Sequence, residues 1–128
     1  MKVKTQDLTG PALDWAVAKA EDNEDCRDPY VTRPRDGMET YVKVTTFSGY
    51  EADWEPSADW SQAGPIIDRE DIHWGFGTKD GNKVVIASKL GHHVKPLLGP
   101  TPLIAAMRCY VDSILGNKIE IPEELIET

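Results

Sequence analysis

The chain contains no apolar run approaching the roughly 18 residues that a membrane span needs, so no segment is expected to cross a bilayer. Met1-Lys2-Val3-Lys4-Thr5 lacks the apolar stretch of a secretory signal. Cysteine is scarce. Cys26 and Cys109 lie far apart, belong to no CxxC pair and read as free thiols of a reducing cytoplasm, while the sequence leaves a disulfide between them open. Positive charge is also short. Fourteen Lys and Arg face 22 Asp and Glu, a formal charge of -8. Such a surface repels nucleic-acid backbones and anionic membranes, and suits a basic protein partner or plain solubility. GxSxG, HExxH, P-loop and GxGxxG motifs are all missing, which weighs against an enzyme. No internal repeat or low-complexity tract occurs.

A length of 128 residues fits one domain spanning 1–128, with room for a core that needs neither metal nor disulfide. Thr9 and Gly10-Pro11 suit a helix start, and Leu13, Ala16, Val17 and Ala20 then fall on one helical face. The acidic run Glu21-Asp22-Asn23-Glu24-Asp25 is expected to end that helix in solvent. From there to Gly37, Pro29 and Pro34 predict an irregular loop. β-Branched alternation over Thr40–Thr46 predicts a strand, and Gly49 and Pro56 bracket a turn-rich region around Trp54. Ile72–Phe76 and Lys83–Ala87 read as strands of a hairpin closed by Asp80-Gly81, followed by a loop over Leu90–Gly99. Thr101-Pro102 opens a long helix whose stripe is Leu103, Ile104, Met107, Tyr110, Val111, Ile114 and Leu115, closed by Gly116-Asn117. Ile119–Ile121 suits a short final strand. The expected class is α+β: a short N-terminal helix, and a long C-terminal helix packed on a small, mostly antiparallel sheet.

The stretch Pro56-Ser57-Ala58-Asp59-Trp60-Ser61-Gln62-Ala63-Gly64-Pro65-Ile66-Ile67-Asp68-Arg69-Glu70 is the most informative. It reads as a stiff loop around a Gly-Pro turn that presents polar and aromatic groups. Trp60 offers a face for stacking and Gln62 can read a ligand edge. Asp59 suits an Asx turn, and Arg69 can brace the loop against Asp59 or Asp68. Arg108 is the one long charged residue in the apolar run of the C-terminal helix. Its structural reading is a stem lying on the core edge with its head in water; its functional reading is an anion fork on a pocket wall. The candidate ligand-binding set is therefore Asp59, Trp60, Gln62, Arg69, Arg108 and Tyr110. No catalytic residue, metal site or cofactor is expected. His73, His92 and His93 lack a well-spaced third ligand, and Cys109 lacks a partner that would stabilise a thiolate.

Three blocks, Leu13–Ala20, Pro56–Glu70 and Gly99–Val111, resemble in order the NinX-like family of small lambdoid and tailed-phage proteins, a domain of unknown function. The resemblance implies a phage accessory protein of the host cytoplasm and certifies no site residue. It suggests that the central loop packs over the long helix, bringing Asp59, Trp60, Gln62 and Arg69 near Arg108 or Tyr110. The leading functional expectation is a non-catalytic binder of a small nucleotide-like ligand acting against host defence. The alternative is an acidic interaction module targeting a host protein. Neither membrane nor direct nucleic-acid contact is expected, and homo-oligomer formation is left open.

Overall fold

A computed structural model describes residues 1–21, 27–32, 41–45, 51–91 and 95–126. Its elements run β1 (Lys2–Lys4), α1 (Gly10–Glu21), β2 (Arg27–Thr32), β3 (Tyr41–Thr45), β4 (Glu51–Trp54), α2 (Trp60–Arg69), β5 (Ile72–Lys79), β6 (Asn82–Lys89), β7 (Leu97–Gly99), α3 (Pro102–Leu115) and β8 (Lys118–Glu120). The strands form three antiparallel sheets, β1-β8, β2-β3-β4 and β5-β6-β7. Helices α1 and α3 pack on each other at the centre. Helix α1 turns its other side to β2-β3-β4, and α3 covers β5-β6-β7. The class is α+β, with the C-terminal helix on a sheet as expected. No described helix is long and apolar enough to cross a membrane.

The caps of α3 follow the local chemistry of the sequence. The Thr101 hydroxyl accepts the Ile104 N–H at 3.2 Å, and Pro102 fills the first turn, where no N–H is needed. Gly116 ends the helix at φ 92°, a conformation that disfavours any Cβ. Leu103, Met107, Tyr110 and Val111 are buried, whereas Ile114 and Leu115 at the end of the stripe are exposed. Gly99 lets β7 lie directly on α3, since a Cβ there would sit 2.7 Å from the Ala105 backbone nitrogen. Asp80-Gly81 closes the β5-β6 hairpin with both residues at positive φ.

Several expectations are corrected. The segment expected as a Gly-Pro loop is mostly the helix α2. Asp59 caps it by accepting the Ser61 N–H at 2.8 Å, and Ala63 and Ile66 are buried. Pro65 lies inside this helix, where it forfeits one backbone bond and would cost about 3 kcal/mol in an isolated helix. Burial of Ala63 and Ile66 offsets that penalty. Strand β2 occupies part of the stretch expected as irregular, β4 includes Trp54, and β7 ends the loop expected over Leu90–Gly99. Cys26, His92 and His93 lie outside the described residues. Glu21 does not end α1 in solvent but is buried.

Asp14 is also buried, and its Oδ1 accepts the Ser57 N–H at 2.8 Å, pinning α1 to the entry of α2. Burial raises its carboxyl pKa to about 7, against the opposing pull of the Ser57 hydrogen bonds. The folded chain therefore keeps a proton that the unfolded chain releases near pH 4, and stability falls as pH rises from about 4 to about 7. Asp14→Asn keeps an oxygen for Ser57 and removes the titration. The variant should gain stability over the parent through that window, by up to about 1.4 kcal/mol per pH unit. Urea unfolding of both proteins at a series of pH values checks this. Parallel curves would remove the assignment.

Candidate functional site

Two groupings of side chains bear on function. The first is a polar network where α1, α2 and α3 meet. The Glu21 carboxylate, at the end of α1, is 4% exposed. It accepts from Arg69 Nη2 and from the Tyr110 hydroxyl, each at 2.9 Å. Arg69 closes α2, and its guanidinium lies 5.8 Å from the Tyr110 ring centre. Its Nε donates to Glu70 at 2.9 Å, and Lys89 of β6 donates to the other Glu70 oxygen at 2.9 Å. Burial works against the Arg69 charge, but bonds to Glu70 and Glu21 hold its pKa above the usual value. Lys89 and Arg69 hold the Glu70 carboxyl below the usual carboxylate range. Burial first, then the charge of Glu21, pushes the Tyr110 phenol up. A carboxylate removed from water is costly unless it is paired and hydrogen-bonded to this degree.

The six expected ligand-binding residues are divided by the fold. Arg69 and Tyr110 meet, with a 3.3 Å contact between Nη2 and the hydroxyl. Arg69 pairs with Glu21 and Glu70, not with Asp59 or Asp68 as the sequence suggested. Arg108 turns inward. Its Nε donates to the Leu8 carbonyl at 2.7 Å and its Nη1 to the Leu98 carbonyl at 2.6 Å, and burial lowers its pKa. The Gln62 amide accepts the Glu55 N–H at 2.7 Å and donates to the Asp53 carbonyl at 2.8 Å, locking α2 to the end of β4. Asp59 is occupied as the helix cap. The Ser61 side chain and N–H hold its pKa below the ordinary value. Trp60 alone of the six stands free, at 52% exposed.

Trp60 belongs to the second grouping. Its ring lies 6.2 Å from Trp74, which lies 5.9 Å from Phe76 edge to face. Trp74 and Phe76 are 39% and 62% exposed. They alternate along one face of β5, opposite Ala87 and Val85 of β6, which α3 buries. The rings thus form a ridge beside the helix, and Lys83 stands 4.1 Å over Phe76. Sequence reasoning found Trp60 but missed Trp74 and Phe76 as companions. Their i, i+2 spacing on a strand was the available signal.

An open cleft of about 440 Å³ lies elsewhere, between β1 and the chain around Leu125 and Ile126, and none of the six residues lines it. Among the described residues no three His, Cys, Asp or Glu side chains are placed to hold a metal ion. Cys109 is buried, and burial pushes its thiol up to about 11.

The sequence profile of the family described as Bacteriophage P22, NinX matches residues 4–113. No curated protein matches the chain.

Arg69→Met should destabilise the fold by about 2–4 kcal/mol, because it removes one charged partner from the buried Glu21 carboxylate while Arg69 itself is half-exposed. Adding Glu21→Met to it should recover part of that loss. Urea denaturation of the three proteins tests the coupling, and an additive double variant would refute it. In a Cys26→Ser background, Cys109 should react with a thiol-specific disulfide reagent at neutral pH far more slowly when folded than in denaturant.

Proposed function

This chain belongs to the bacteriophage P22 NinX family, and from that premise we propose that it is a non-catalytic interaction module that docks a basic protein of the infected cell through the Trp60–Trp74–Phe76 ridge. The observation that carries this reading is three touching aromatic rings exposed beside a strand. The polar groups that could have served a small ligand are turned to other work. Arg108, Gln62 and Asp59 hold backbone groups of the chain itself. Small-molecule sites are concave and bury most of their ligand, whereas the three rings are 39–62% exposed and none of them lines the cleft beside β1. Exposed Trp and Phe clusters are the usual anchors of protein contacts, and truncating one such anchor commonly costs 2 kcal/mol or more. The formal charge of -8 favours a partner of opposite sign and speeds encounter with it.

The earlier expectation of a nucleotide-like ligand keeps one support, the stacking face of Trp60 with Trp74 beside it. A single set of measurements separates the two readings. Tagged protein should retain a basic host protein at low salt and release it as salt rises. Trp60→Ala and Phe76→Ala should each weaken that complex at least about 10-fold without shifting the melting temperature much. Retention that ignores both substitutions would overturn the ridge as the docking surface. Thermal stabilisation by mononucleotides or cyclic nucleotides, abolished by Trp60→Ala, would transfer the site to a small ligand.

A further inference from the structure

The two edges of the β5-β6-β7 sheet are treated differently. At the β7 edge, the Gln6 side-chain amide behaves like a neighbouring strand. Its Nε2 donates to the Leu98 carbonyl at 2.7 Å, and its Oε1 accepts the Leu98 N–H at 3.0 Å. Arg108 adds a second donor to the same carbonyl. The opposite edge is β5, eight residues long and paired only with β6 among the described residues. Long bare edges invite pairing with another chain, and proteins normally blunt them.

Hydrogen-bond parity identifies the groups that β5 presents. Because Leu98 bonds outward to Gln6, the facing pair Ile86–Leu98 is a non-bonded one, and Ile86 must bond toward Gly75 of β5. The Leu90 N–H bond to the Asp71 carbonyl, at 3.2 Å, requires the same phase. Residues 73, 75, 77 and 79 therefore bond to β6. Ile72, Trp74, Phe76 and Thr78 aim their N–H and C=O groups at the open edge.

The geometry points to a second copy of this chain as the occupant, paired antiparallel β5 to β5 with Gly75 on the two-fold axis. Matching outward-facing residues requires the axis to pass through a residue and not between two, and the positions nearest the middle of β5, which pair most of the strand, are Trp74, Gly75 and Phe76. With the axis at Gly75, Trp74 of each copy lies opposite Phe76 of the other, and Ile72 lies opposite Thr78. Lys79 then reaches Asp71 of the second copy, twice over. Both residues are exposed, and neither forms an ion pair among the described residues. With the axis at Trp74, Lys79 meets Arg69 instead, and at Phe76 it meets His73. Charge thus selects the Gly75 register. The union makes one six-stranded sheet and joins the two aromatic ridges across the axis, adding cross-strand ring pairs. This assembly does not depend on the docking of a host protein.

Sedimentation equilibrium of the full chain tests the inference. The protein should be a dimer at micromolar concentration. Thr78→Pro removes only an outward N–H, so β5 keeps its bonds to β6 while each copy loses the bond from Thr78 to Ile72 of the other and gains a ring at the seam. It should raise the dissociation constant at least about 100-fold with an unchanged circular dichroism spectrum. Lys79→Glu, facing Asp71, should weaken the dimer about 10-fold, and Asp71→Lys/Lys79→Glu should restore it. A monomer at all concentrations, or a dimer indifferent to Thr78→Pro, overturns the inference. A monomer that still captures a host protein overturns it alone and leaves the docking reading intact.

Discussion

The arrangement depends on giving partners to one carboxylate that is removed from water. Glu21 ends α1 inside the protein, and an ion so placed is tolerated only if other elements bring partners to it. Tyr110 arrives from the middle of α3 and Arg69 from the last turn of α2. This fixes where α1 ends, where α2 ends and how α3 is rotated. Glu70 and Lys89 extend the pairing to β6, so the same charges tie the helices to the sheet beneath α3. Arg69 is therefore spoken for by the fold, which is why it is a weak candidate for ligand recognition.

Anchoring α2 at its end has a consequence at its start. Asp59 and Gln62 hold the first turn against β4, and the helix carries Trp60 out over β5. The aromatic ridge is thus built on two rigid elements, a capped helix and a paired strand. Rings so placed lose little freedom on contact with a partner, which favours recognition by shape and apolar area. Among the described residues the same strand pairs on one side only, while the far edge of its sheet is sealed by Gln6. Trp74 and Phe76 belong to both features, so docking and self-association would draw on the same rings.

Much of the fold was legible locally. Thr101-Pro102 and Gly116 bound α3, Asp80-Gly81 set the hairpin, and Leu13, Ala16 and Val17 marked the buried side of α1. Helix α2 was hidden because Gly64-Pro65 is a strong local breaker. Its helical state is supported by the Asp59 cap, by Ala63 and Ile66 in the core, and by the Arg69 pairing at its end. Strands β1, β4 and β7 have three or four residues each, too short for a periodic pattern, and exist through their partners, whereas the short final strand β8 was expected one residue further on.

The candidate site divides in the same way. Sequence alone determined the excess of acidic charge, the residue types in the central stretch and the family blocks that hold them, because these depend on composition and order. Only the tertiary structure decided how each side chain is used. Burial and hydrogen-bond partners come from residues distant in the chain: Leu8 and Leu98 for Arg108, Glu21 for Tyr110, and Trp74 for Trp60. A guanidinium or an indole has the same chemistry in any sequence; what it has left to offer a partner depends on what surrounds it once the chain has folded.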